Sequence, residues 1–222
     1  TPGWLILTGS GIRDLSPIRG LPYESLDLVN CPISDLTPLR GMPLRLLWIA
    51  GTRIKDLAPL KGMSIEHLNL AGTEVDSIVG LKGMPLKVLH ISRTKVDDLT
   101  PLSGMGLEEL YADRTPVSNI SALLNMPLKH VDLSSTAVTD LGPLRFAPLE
   151  TLRFSPEHVV SGVLVVSEMP TLKTINGMRP RDFLAQYQPR MAEQQVALLG
   201  RVPTFPADVE QKLNARLTLH WE

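Results

Sequence analysis

Cys31 is the only thiol in the 222-residue chain. The other side chains suited to chemistry or recognition are Trp48, His67, Asn69, His90, Tyr111, His130, Asp132 and Arg153. A thiol beside a base would be a nucleophile. Histidines in close pairs would suggest zinc. Trp, Tyr and Arg are the types that dominate binding energy at protein interfaces. Spacing separates these options. Trp48, Asn69, His90, Tyr111, Asp132 and Arg153 follow one another at a constant interval of 21 residues, and His67 and His130 belong to a parallel series two positions earlier. The histidines lack the tight pairing of zinc signatures, so no metal is expected. Cys31 recurs in phase with Ser10, Thr52, Thr73, Thr94, Thr115 and Thr136, a column of small hydroxyl residues. That phase points to a buried turn-bonding position, where a thiol is inert. With no nucleophile–base pair to assemble, no catalytic residue, enzymatic activity or cofactor is expected.

The interval of 21 is the period of the whole chain. Its opening position falls at Pro2, Tyr23, Leu44, Ile65, Leu86, Leu107, Leu128 and Leu149, and a last step of 23 reaches Leu172. The unit reads LxxLxLxxTx[IV]xDLxPLxGMP. Seven copies fill 2–148, which divides the chain into repeats (1–148), an irregular last repeat and closing segment (149–183) and a tail (184–222). A period of 21 around LxxLxL resembles the leucine-rich repeats. The resemblance implies an α/β solenoid with a short-stranded parallel sheet on the concave face and 3₁₀ or single helical turns on the convex side.

The residues make the same argument column by column. In the stretch Leu44–Thr52, Leu47 and Ile49 alternate with Leu46 and Trp48, so period two turns one pair inward and the other outward. The inward β-branched column runs Ile12, Ile33, Ile54, Val75, Val96, Val117, Val138. Ser16-Pro17, Thr37-Pro38 and Thr100-Pro101 read as helix N-caps followed by proline. Gly20, Gly41, Gly62, Gly83 and Gly104 read as left-handed caps that end each arm. Methionines at 42, 63, 84, 105 and 126 fill the back of the core.

Charged columns are read as structural. Glu24, Arg45, Glu66, Lys87, Glu108, Lys129, Glu150 and Lys173 alternate in sign, which predicts a self-satisfied ladder across neighbouring strands. Arg19, Arg40, Lys61, Lys82 and Arg145 form a basic column placed in a last helical turn. Asn119, in the sequon Asn119-Ile120-Ser121, replaces the aspartate of its column and reads as a turn residue. The outward strand columns are different, because no folding requirement is evident for them. They are therefore the expected binding face, with histidines that would make binding sensitive to pH between about 6 and 7.

The segment 154–183 abandons the repeat. Phe154, Pro156, Val159 and Gly162, then Met169, Leu172, Lys173 and Ile175, then Pro180 and Phe183 resemble the end of the repeat regions of planctomycete-type serine/threonine protein kinases. The arm xDLxPLxxM more loosely resembles internalin-type repeats. The kinase resemblance implies a non-catalytic interaction part of a larger signalling protein, with a kinase domain in the same full-length chain. No Gly-rich loop, VAIK strand, HRD loop or DFG motif is present in this sequence, so no active site is carried over. The tail stretches 189–200 and 206–217 read as amphipathic helices that cap the last repeat. The alternative reading is an accessory or effector domain of an enzyme, with activity in the tail or outside this segment; the tail offers only His220 and no cysteine.

A balance of 22 Lys and Arg against 23 Asp and Glu offers no general attraction to nucleic acid or anionic membranes. No apolar run reaches the roughly 18 residues of a membrane span. The opening at Thr1 and the uncapped first repeat read as an excised segment. The expected partner is a protein or peptide on the concave sheet; the compartment is left open.

Overall fold

The computed structural model describes residues 3–163 and 169–187. Its first compact unit, Thr1–Leu184, contains nine short strands: β1 (Trp4–Ile6), β2 (Ser25–Asp27), β3 (Leu46–Trp48), β4 (His67–Asn69), β5 (Val88–His90), β6 (Glu109–Tyr111), β7 (His130–Leu133), β8 (Thr151–Phe154) and β9 (Thr174–Ile175). All pair in sequence order as one parallel sheet. Parallel pairing follows from the period: a repeat of fixed length returns each strand in the same direction beside its predecessor. Register is set by the inward leucines. Leu26, Leu47, Leu68, Leu89, Leu110, Val131 and Leu152 pair in one column and are essentially inaccessible to solvent. A slip of one residue would put that whole column into water.

The convex arms are three-residue 3₁₀ turns, such as Thr37–Leu39, Ala58–Leu60 and Thr100–Leu102. Their caps differ from the expectation. Ser16, Thr37 and Thr100 begin the 3₁₀ turn and do not cap it. The cap is the carboxylate two residues earlier: Asp14, Asp35, Asp56, Asp98 and Asp140 each accept the backbone N–H of residue i+2 at 2.8–2.9 Å. This is the Asx-turn geometry, and Asn119 adopts it too, accepting from Ser121. The hydroxyls of Ser16, Thr37 and Thr100, and then these backbone bonds, hold the Asp14, Asp35 and Asp98 carboxyls below the usual carboxylate range.

The glycines also work differently. Arg40 has φ −56° and ψ 127°, Gly41 has φ 75°, and the Met42 N–H donates to the Leu39 carbonyl at 3.1 Å. These are the dihedrals of a type II turn with glycine at its third position, rather than a helical cap. It follows that Arg19, Arg40, Lys61 and Lys82 occupy the extended second position of that turn, where the proposed helix-dipole role does not apply. Repeat seven supports this account. Arg145 is αR at φ −54° and ψ −24°, so the turn no longer needs a left-handed residue and Phe146 replaces glycine.

The hydroxyl ladder is buried as expected. Thr52, Thr73, Thr94, Thr115 and Thr136 donate to the carbonyls of Ile49, Leu70, Ile91, Ala112 and Leu133 at 2.6–2.7 Å. Cys31 is 1% exposed, and its thiol donates instead to Leu7 of the preceding repeat at 3.0 Å. We expect Thr73→Val to cost about 1 kcal/mol, because the Leu70 carbonyl keeps only its backbone donor. Cys31→Thr should stay within about 0.5 kcal/mol of wild type. Urea melts of the two variants check this; a larger loss from Cys31→Thr would give Cys31 a role the ladder does not explain.

The closing segment packs on the same sheet. Phe154 and Phe183 meet edge to face with centroids 5.6 Å apart, and Met169, Leu172 and Ile175 are buried. A helix over 180–187 follows. The tail stretches read as capping helices lie outside the described residues.

Candidate binding surface

The parallel register lines the outward residues of the strands into one unbroken row: Ile6, Asp27, Trp48, Asn69, His90, Tyr111, Asp132 and Arg153. The neighbouring row carries Trp4, Ser25, Leu46, His67, Val88, Glu109, His130 and Thr151. Within these rows the structure forms two groups rather than one.

At the first strands, Trp4 and Trp48 meet edge to face, with ring centroids 5.9 Å apart and planes at 68°. They belong to different rows and lie two strands apart, so the contact is diagonal across β2. It is possible because β2 offers only the short side chains of Ser25 and Asp27 there. Asp27 is covered, with its Oδ1 accepting from the Thr8 hydroxyl at 2.5 Å and the Val29 N–H at 3.0 Å. Trp4 remains 52% and Ile6 61% exposed. Neither belongs to the residue set expected from the sequence. The usable signal was the small pair on β2 between two tryptophans.

At the later strands, His90 and Tyr111 stack with centroids 4.2 Å apart and planes at 11°. The Tyr111 hydroxyl donates to Glu109 at 2.8 Å. Burial, then that bond, pushes its pKa up to about 12. Asp113 accepts the Ser92 hydroxyl. Asp132 accepts the Ser134 N–H at 2.9 Å and faces Arg153 at 3.8 Å. His130 Nδ1 lies 2.8 Å from the Thr151 hydroxyl. His67 is exposed on β4, between the two groups.

Two expectations need correction here. The outward row is not free of folding duties: Asn69 accepts from the Ala71 N–H and Asp132 from the Ser134 N–H. These side chains close strand ends, so their presence alone is no sign of a ligand. The histidine range also moves. Burial against Tyr111 holds the His90 imidazole below the usual histidine value, with Glu109 and Asp113 pulling the other way. A folded-state pKa below the unfolded one means that protonation opposes the fold. The stabilisation this represents is present above the ordinary value of about 6.5 and is lost as pH falls through the folded pKa. His90 therefore titrates below the ordinary histidine value.

The charged column alongside is self-paired where ion pairs occur. Arg45 meets Glu66 at 2.5 Å, Lys87 and Lys129 flank Glu108 at 3.5 and 2.6 Å, and Lys173 meets Glu150 at 2.6 Å. Among the described residues no group of three His, Cys, Asp or Glu converges on a point, and no helix is long and apolar enough to cross a membrane.

Known structures supply the comparison. Internalin C2 from Listeria monocytogenes str. 4b F2365 is similar at 27% identity and a TM-score of 0.58, over 69% of this chain and 80% of that one. The fold is a leucine-rich-repeat solenoid. Internalin F from the same strain is 20% identical with a TM-score of 0.61, over 78% of this chain and 59% of that one. The functional domain of InlJ from Listeria monocytogenes, which includes a cysteine ladder, is 19% identical with a TM-score of 0.52, over 78% of this chain and 38% of that one. This chain thus spans well under two thirds of the last two proteins. No protein-family model matches the chain, and no curated protein does.

Proposed function

We propose that this solenoid is a non-catalytic module that binds a protein or peptide on its concave sheet. The observation that carries the reading is the exposed Trp4 and Ile6 beside Trp48, in a row continued by His90, Tyr111 and Arg153. Bulky apolar side chains clustered on a surface mark interaction sites. Aromatic and arginine side chains are the usual anchors of such sites. His67, Asn69, His130 and Asp132 supply hydrogen-bonding groups around them. Concave surfaces of stacked repeats are extended and suit a polypeptide ligand.

The kinase-like ending supports a place within a larger bacterial signalling protein; within that motif Phe154 packs on Phe183, and Val159, Met169, Leu172 and Ile175 are buried. The coding sequence on either side of this segment tests that part directly. The binding surface itself is tested by substitution. Against any partner isolated on the intact chain, Trp48→Ala and Tyr111→Ala should each weaken binding by about 1–3 kcal/mol, with little change in melting temperature. Arg40→Ala and Lys61→Ala on the convex side should be silent. Isothermal titration showing the reverse pattern would move the site to the basic convex column.

A further inference from the structure

The charge of the concave sheet departs from that of the chain. The whole protein is nearly neutral, with a net charge of −1. On the outward faces of the strands and the residue just beyond them stand the carboxylates Asp27, Glu109, Asp113 and Asp132, against the single guanidinium of Arg153. Asp27 is buried and bonded by Thr8 and Val29; the other three stand on β6, β7 and the turn after β6. Each of these three is fixed in place by a donor: Tyr111 for Glu109, Ser92 for Asp113 and Ser134 for Asp132. A carboxylate has about four lone-pair sites, so each retains acceptor capacity after these bonds. Their mutual repulsion is offset by Arg153, at 3.8 Å from Asp132, and by the Lys129 ammonium, which also feels Glu109.

The concave face is therefore bipartite. Its first strands present Trp4, Ile6, Leu46 and Trp48, and its later strands present oriented carboxylates around the His90–Tyr111 stack. From these observations we infer that the ligand is a basic polypeptide segment. One bulky apolar side chain lies against the Trp4–Trp48 pair, and lysine or arginine side chains reach Glu109, Asp113 and Asp132. The inference rests on the concave-face reading given above. Geometry sets the spacing. Three strand steps of about 4.8 Å separate β3 from β6, or about 14 Å, which is roughly four residues of extended chain. The carboxylates need no rearrangement to receive a cation, which favours affinity by pre-organisation. Arg93 and Arg114 provide the contrary charge. Both are exposed in the turns that follow β5 and β6, with φ 57° and 56°, and they would attract an acidic ligand to the rim instead.

The experiment is selection of a displayed random peptide library on the full chain, followed by titration of the selected peptides onto variants. The expected peptides pair an aromatic or aliphatic residue with lysine or arginine about four to six positions away. Their affinity should fall at least tenfold in the triple variant Glu109→Gln, Asp113→Asn, Asp132→Asn and at least tenfold in Trp48→Ala. The amides retain the acceptors for Tyr111, Ser92 and Ser134, so the triple variant should keep its melting temperature while losing charge. Peptides that are acidic and lose binding in Arg93→Ser or Arg114→Ser would overturn the inference while leaving concave or rim binding in place. Uncharged peptides sensitive only to Trp48→Ala would overturn it too. Peptides insensitive to every concave change, or failure of the library to enrich, would count against both this inference and the concave site.

Discussion

Gly162→Ala should destabilise this protein by about 3–5 kcal/mol, more than alanine at any other described glycine. Two costs add at this position. Gly162 has φ 83°, a conformation that costs a side-chain-bearing residue roughly 1–3 kcal/mol. Its missing Cβ would also lie 2.5 Å from the Gly142 nitrogen, 2.7 Å from the Leu141 carbonyl carbon and 2.8 Å from the Leu141 nitrogen. All three are backbone atoms that cannot rotate away, and overpacking of this kind costs about 1–3 kcal/mol more. The contact is close because the irregular repeat is stitched to its predecessor here. Ser161 bridges Asp140 in parallel, the Leu141 N–H donates to the Ser161 carbonyl at 3.1 Å, and the Ser161 hydroxyl donates to Asp140 at 2.7 Å. Gly177 is the control: its φ is 81°, and nothing lies within 4 Å of its Cβ position. Gly177→Ala should therefore cost only the conformational share, about 1–2 kcal/mol. For a unit of this size the Gly162 change corresponds to a fall of roughly 10 °C in melting temperature. Hydrogen exchange should place the added opening at the seventh and eighth repeats. Equal losses in the two alanine variants would show that the backbone contact is not real.

The second large effect separates two residues that the repeat pattern treats as equivalent. Leu5 and Leu110 occupy the same inward column of β1 and β6. Leu110 is completely buried and lies in register between Leu89 of β5 and Val131 of β7. Leu5 is only half-buried, since among the described residues β1 pairs on one side alone. Leu110→Ala should cost about 3–4 kcal/mol, because the cavity is walled by ordered neighbours on both sides. Leu5→Ala should cost about 1 kcal/mol, in proportion to the smaller area withdrawn from water. In a solenoid, stability is close to a sum over repeats and their interfaces, so an internal repeat loses two interfaces and a terminal one loses one. Denaturant melts followed by tryptophan fluorescence measure both. Comparable losses would mean that Leu5 is covered in solution by something outside the described residues.

The period of 21 and the pattern LxxLxL dictated the parallel sheet, its register and the inward columns, because stacking identical units allows one pairing that keeps every leucine dry. The threonine ladder and the alternating ladder of charges were legible for the same reason: both are fixed by phase within the unit. The turns were only half legible. Ser-Pro and Gly-Met announce that the chain bends, but a sequence does not say whether a Gly follows a helical or an extended residue. That is a matter of ψ, and the value of 127° at Arg40 makes a type II turn. Column reasoning also compares like positions in successive repeats and so cannot see diagonals. The Trp4–Trp48 contact joins two rows across β2 and exists because Ser25 and Asp27 are short. Nor could columns show that Asn69 and Asp132 close their strand ends, since that depends on a side-chain oxygen finding the N–H two residues on. The placing of Glu109 and Asp113 of one repeat and Asp132 of the next about the His90–Tyr111 stack likewise arises only when neighbouring strands pair in register, which is the work of the tertiary structure.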